Sequence, residues 1–171
     1  PNVYMSMGIT AENVAKKFNI SRKEQQDFAI SSHSKANLAR ESNLFDNEIV
    51  SITNNDEKIN KDGGIRPNTS HEILDGLKLA FDENGTVTAG TASPLTDGAS
   101  AVIVCEEEYA KKNNLNILAR IKSTAVVGCP PELMGLGPIN ASKKALKRAN
   151  LSISDIDIVE LNEAFASQSL A

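Results

Sequence analysis

Two patterns of apolar and polar positions divide this chain. In the first part, Phe28, Ala29, Ser32, Ala36 and Ala39 recur at steps of three and four, giving one modestly apolar face of a helix. Ser21-Arg22-Lys23-Glu24 before it is a capping box, because a Ser hydroxyl and a Glu three residues on can satisfy each other's free backbone donors. Thr10 is placed to cap an earlier helix running to about Phe18, and Thr69-Ser70-His71-Glu72 opens a short one through about Leu77. Between them, Glu48 to Ile52 reads as a strand, and Thr53 to Asn68, with Gly63-Gly64 and Pro67, as a polar excursion over the surface.

From Phe81 onward the apolar runs are short and β-branched. Thr86 to Ala89, Val102 to Cys105 and Ile156 to Leu161 each have the length and composition of a strand. Helical patterns separate them: a charged helix over Glu106 to Asn113 and an amphipathic one over Ala141 to Ala149. An extended apolar segment spans Ile117 to Val127, and Cys129 to Pro138 is a Gly/Pro loop. Strands alternating with helices predict an α/β fold, and the helical first part reads as a separate lobe ending near residue 95. Gly90 to Ala101 is dense in small residues, which let a ligand or another backbone come close. Asn162 ends the last apolar run and can cap a helix starting with Glu163. That junction lies beyond a strand's carboxyl end, where open α/β sheets bind ligands.

Composition narrows the function classes. The 171 residues are 40% hydrophobic with a net charge of −4, and the 18 Lys and Arg are scattered, which speaks against a nucleic-acid footprint. No apolar run reaches membrane-spanning length. Two cysteines, Cys105 and Cys129, make no disulfide framework, and there is neither metal-ligand spacing nor a glycine-rich phosphate fingerprint. The chain starts at Pro1 and stops inside a helix signal, so an internal piece of a longer protein is expected.

Four separated stretches resemble the thiolase family in order. They are Ser6 to Ala15, Gly85 to Gly90 running on to Ser93 and Asp97-Gly98-Ala99, Ala125 to Cys129 with Met134 to Pro138, and Asn162-Glu163-Ala164-Phe165-Ala166. The resemblance covers nearly the whole chain. It implies a partial thiolase fold of layered αβαβα type: residues 1–95 as a CoA-facing loop domain, 96–117 as the last piece of the N-terminal core domain, and 118–171 as the start of the C-terminal core domain. It also implies thiolytic cleavage of 3-ketoacyl-CoA, with coenzyme A and acyl-CoA as substrates, no bound cofactor or metal, and a homodimeric or homotetrameric parent. A cytoplasmic, bacterial location in fatty-acid β-oxidation is the matching expectation. The alternatives are an acetoacetyl-CoA-forming biosynthetic thiolase and a non-catalytic acyl-CoA- or lipid-binding relative.

Residue by residue, the resemblance implies that Asn162 holds the water that stabilises a thioester oxyanion, where one fixed donor contributes on the order of 3 kcal/mol. Phe165 would line the acyl pocket, Met134 would reach the pantetheine end, and Ser93 would hydrogen-bond the pantetheine arm. Arg66 and Phe81 would flank the CoA nucleotide, where a guanidinium meets phosphate or stacks on adenine. Each has an ordinary alternative: helix capping for Asn162, core packing for Phe165 and Met134, a turn cap for Ser93, a solvated loop cation for Arg66. Ser6 stands where many biosynthetic thiolases carry His, which with Asp62 to Pro67 tilts the reading to the degradative kind. Sterol-carrier-type relatives carry His-Asp-Cys-Phe where this chain has Asn162 to Phe165. The family's nucleophilic Cys, activating His and second Cys match no position here. Cys105 is expected to be buried and inert, Cys129 to lie in a loop near substrate, and His33 and His71 to be solvated helix residues.

Overall fold

The computed structural model describes residues 3–171. Its helices form where local capping chemistry puts them. Helix α1 (Met7–Phe18) is capped by Ser6, whose hydroxyl accepts from the Ile9 N–H, so the cap lies four residues before the expected Thr10. Thr10 instead is buried inside α1 and its hydroxyl donates to the Met7 carbonyl. Helix α2 (Arg22–Glu41) starts from the full Ser21/Glu24 capping box. Helix α3 (His71–Asp75) starts at Ser70 and is one turn long. Arg22 ends it: the guanidinium donates to the Leu74 and Leu77 carbonyls at 2.8 Å each. Asn19 closes α1 in the left-handed conformation that Asn tolerates best after glycine.

The surface excursion contains the regular sheet of the described residues. Strands β1 (Ile52–Asn54) and β2 (Glu57–Ile59) pair antiparallel, Ile52 opposite Ile59. Asn55 and Asp56 both take positive φ, the geometry of a two-residue turn that follows the strand twist. Its strands are short and mostly polar, so no alternating pattern marked them. The expected strand at Glu48 to Ile52 is therefore displaced toward the hairpin.

Of the remaining expected strands, Thr86 to Ala89 makes one antiparallel bridge, Thr88 to Leu79, and the others have no ladder among the described residues. Val102 and Ile103 are 85% and 90% exposed, Ile158 is 80% exposed, and Cys105 is exposed rather than buried. A strand is stabilised by its neighbours, and an apolar β-branched run with none stays irregular. Residues 123–129 keep the strand alternation, with Ser123, Ala125, Val127 and Cys129 turned inward. They lie along α5 (Gly137–Ala149), where Ser123 Oγ donates to the Ala145 carbonyl and Arg148 to that of Thr124.

Helix α4 (Glu107–Lys112) is the expected charged one. A 3₁₀ segment over Pro131–Leu136 packs on α1 and leads into α5, which therefore begins earlier than Ala141. A second 3₁₀ turn spans Ile153–Asp155. The last helix, α6 (Ala166–Leu170), starts four residues after Asn162 and packs against α1 and α2. Asn162 is thus exposed backbone ahead of the helix and not its cap.

Candidate functional site

The site forms where the end of the chain returns to the first lobe. Thr91 to Ser93 runs antiparallel to Ala164 to Ala166: the Ser93 N–H donates to the Ala164 carbonyl at 2.9 Å, and the Ala166 N–H to the Thr91 carbonyl at 3.0 Å. Burial fixes this junction. Ser167 is fully buried and its hydroxyl donates to the Ala11 carbonyl of α1 at 3.1 Å. Phe165, extended just before α6, meets Phe81 edge-to-face with ring centroids 6.0 Å apart. Phe81 in turn lies over Gly8 of α1, where any Cβ would overlap its ring.

The turn feeding this pairing is held by a carboxylate. Glu12 on α1 is buried, and its oxygens accept from the Thr86 N–H at 2.8 Å and the Val87 N–H at 2.8 Å. Thr86 Oγ1 also donates to it, at 3.2 Å, and accepts from the buried Gln25 amide at 2.8 Å. Gly85 is required here because a Cβ would collide with the Glu12 carboxylate. Two turns later, Thr91 Oγ1 accepts from the Thr88 N–H at 3.0 Å and closes the bend that delivers Ser93.

Between α2, the loop carrying Arg66 and this junction lies an open groove of about 1660 Å³. Four of the six sequence-derived site residues line it: Asn162, Ser93, Arg66 and Phe81. Phe165 adjoins it through the ring of Phe81. Met134 does not; it stands on the 3₁₀ segment that packs against α1. Phe81 lines the groove together with Arg66, and its ring is also engaged with Phe165 and Gly8. Ser93 Oγ faces the Pro94 carbonyl at 3.5 Å, a weak turn contact that leaves the hydroxyl free for another partner.

Charge in the groove is divided. Lys35 and Arg66 line it as cations, Glu160 and Glu163 as anions. His33 is not simply solvated: its Nδ1 accepts the Arg66 N–H at 3.2 Å. Ser32, its neighbour, donates its hydroxyl to Glu163 Oε2 at 2.6 Å. His71 lies between Asp27 at 2.8 Å and Gln26 at 3.2 Å, so it ties α3 to α2. Carboxyls held below their usual range lie elsewhere. Glu24 is lowered by the Ser21 hydroxyl and N–H, Glu107 by the Lys111 hydrogen bond and the Arg120 charge, and Asp155 by the Ser152 N–H and hydroxyl.

The groove offers an amide dipole, hydroxyls and a guanidinium, which suits a long ligand with an anionic end and a polarisable carbonyl. Among the described residues no hydrogen bond joins a cysteine to a histidine, and no His/Cys/Asp/Glu group is arranged to hold a metal. Cys129 faces the 3₁₀ segment, its Sγ 4.0 Å from the Met134 carbonyl, rather than the groove. No helix of the described residues is long and apolar enough to cross a membrane. Sequence reasoning missed Ser32, His33 and Glu12. Only Glu12 left a trace, as a carboxylate set among Ala11, Val14 and Ala15 on the buried face of α1.

Comparison with known proteins is consistent across sequence and structure. Residues 2–108 match the model of the thiolase N-terminal domain, and residues 115–171 that of the thiolase C-terminal domain. The 3-ketoacyl-CoA thiolase of Serratia proteamaculans is 53% identical over 96% of this chain, and that of Aliivibrio fischeri 51%. The chain spans about 44% of the length of these relatives. Human mitochondrial 3-ketoacyl-CoA thiolase in complex with CoA superposes with a TM-score of 0.92 at 44% identity, over 98% of this chain and 42% of that one. The Bacillus anthracis acetyl-CoA acetyltransferase gives 0.90 at 42%, over 99% and 44%. The fold is a partial α/β thiolase fold.

Proposed function

Because this chain belongs to the thiolase family, we propose that its groove receives the CoA portion of an acyl-CoA and that Asn162 turns its amide toward the thioester. The reaction of the whole protein is then thiolytic: the bond between C2 and C3 of a 3-ketoacyl-CoA breaks, acetyl-CoA leaves, and the sulfur of CoA takes the shortened acyl group. A cysteine thiolate must first attack the 3-keto carbon, with a base to activate it. Neither Cys105 nor Cys129 is paired with a base, so this chain's own contribution is binding and polarisation.

One observation carries the reading: the antiparallel pairing of Thr91 to Ser93 with Ala164 to Ala166 places Ser93 and Asn162 on one groove that Arg66 also lines. In it, the Ser93 hydroxyl meets the pantetheine arm and the Arg66 guanidinium the nucleotide phosphates. The amide of Asn162 acts where charge develops on the thioester oxygen. The names of the curated relatives favour the degradative direction and a place in fatty-acid β-oxidation. Assembly of the whole protein as a dimer or tetramer, in the cytoplasm, completes the proposal.

Calorimetric titration with coenzyme A tests it. The chain should bind CoA, Arg66→Ala should weaken that binding by about tenfold, as expected for one charged contact to phosphate, and acetoacetyl-CoA should not be consumed. Unchanged affinity in Arg66→Ala removes Arg66 from the site. Measurable thiolysis by this chain alone refutes the division of labour.

A further inference from the structure

Ser32 and His33 are consecutive on α2, and each reaches a different wall of the groove. Ser32 Oγ donates to Glu163 Oε2 at 2.6 Å, next to Asn162. His33 Nδ1 accepts the Arg66 N–H at 3.2 Å. We infer that this dipeptide is a positioning pair, a clamp that sets the spacing between the Asn162 wall and the Arg66 loop. It rests on the reading of the groove as a CoA site and adds to it two residues that do not themselves contact the thioester.

The physical argument starts from what each wall lacks. Arg66 sits in the irregular stretch between β2 and α3, beside Pro67, with no ladder to fix it. Its position relative to α2 depends on few bonds, and the one to His33 is direct. Because Nδ1 accepts, the ring proton lies on Nε2 and the imidazole is the neutral tautomer when this bond is made. Glu163 is exposed and lines the groove, so an untethered carboxylate ranging over it would repel a polyanionic ligand. The Ser32 hydroxyl draws Oε2 toward α2 and with it holds the backbone of Asn162. A 20-residue helix is a stiff mount for both bonds. Neighbouring side chains on it diverge by about 100°, so one can serve each wall.

The test uses the 171-residue chain, coenzyme A, and pantetheine, which lacks the nucleotide. His33→Leu removes the acceptor; His33→Asn keeps one near the same place. Ser32→Ala removes the donor; Ser32→Thr keeps it. Leu and Ala favour helix more than His and Ser, so a loss cannot come from a weakened α2. His33→Leu should weaken CoA binding about five- to tenfold, the loss of one hydrogen bond's ordering, leave pantetheine unaffected and speed exchange of the Arg66 amide. His33→Asn should restore both. Ser32→Ala should speed exchange of the Ser93 and Ala166 amides, which pair this segment with Thr91 to Ser93, and Ser32→Thr should not.

Equal CoA affinity in His33→Leu and the unsubstituted chain, or equal loss in His33→Asn, overturns the clamp. If the unsubstituted chain binds no CoA while the amide-exchange changes and their rescue still appear, the CoA reading of the groove fails and the clamp stands.

Discussion

Replacing Glu12 by Ala should be among the most damaging single changes in this chain, and the structure gives the size of the effect. The Glu12 carboxylate takes the N–H groups of Thr86 and Val87 and the Thr86 hydroxyl. Val87 is fully buried, so its donor finds no water when the carboxylate goes. An orphaned buried donor costs about 1–3 kcal/mol and a hydrogen bond to a charged group contributes about 1.5–3. Allowing for the half-buried Thr86, the loss is about 4 kcal/mol, against a typical domain stability of about 5–15. With a urea slope of about 2 kcal/mol/M, the unfolding midpoint followed by circular dichroism falls by about 2 M.

Gly85 supplies the sharper control. Its φ is not positive, so alanine has no backbone penalty there, and the nearest obstacle is the Glu12 carboxylate. Gly85→Ala should therefore destabilise the chain with Glu12 present and be nearly neutral with Glu12→Ala. The coupling between them should exceed about 1 kcal/mol, as for residues sharing one contact. A Glu12→Ala cost below about 1 kcal/mol, or an identical Gly85→Ala effect in both backgrounds, would refute the clamp at this turn.

Three further outcomes follow from the same geometry. Phe165→Ala should cost about 2 kcal/mol in urea unfolding, less than for a fully buried ring because Phe165 is half-buried, with Phe165→Leu recovering part of it. Ser167→Ala should cost about 1 kcal/mol, since it removes one buried donor from a carbonyl of α1 and leaves only a methyl-sized change. For Glu24, Ser21 holds the carboxyl below its usual range, so its contribution is complete above the unfolded-state value and is lost as pH falls through the lowered folded-state value. The difference in thermal midpoint between the unsubstituted chain and Glu24→Gln should shrink on going from neutral pH into that acid range; a constant difference would contradict it.

What could be read from residues alone was whatever is closed by bonds between near neighbours. The Ser21/Glu24 box spans three residues, so α2 begins where the sequence says, while α3 starts one residue later than the Thr69 box implies, from Ser70. Even so, α1 starts at Ser6 because two hydroxyls competed for one cap and Thr10 was drawn inside. The sequence also singled out Asn162, Ser93 and Arg66, and the structure brings all three to one groove.

Tertiary structure alone decided the rest. Glu12 to Thr86 joins residues 74 apart, and Ser32 to Glu163 residues 131 apart; no periodicity records such a pairing. Phe81 meets Phe165, 84 residues on, over Gly8 of α1, a contact that no local pattern announces. Val102 to Val104 and Ile156 to Leu161 have strand composition but no strand, since a ladder is a property of two segments and a single one cannot make it. Local hydrogen bonds set where helices begin; long-range ones set which side chains meet.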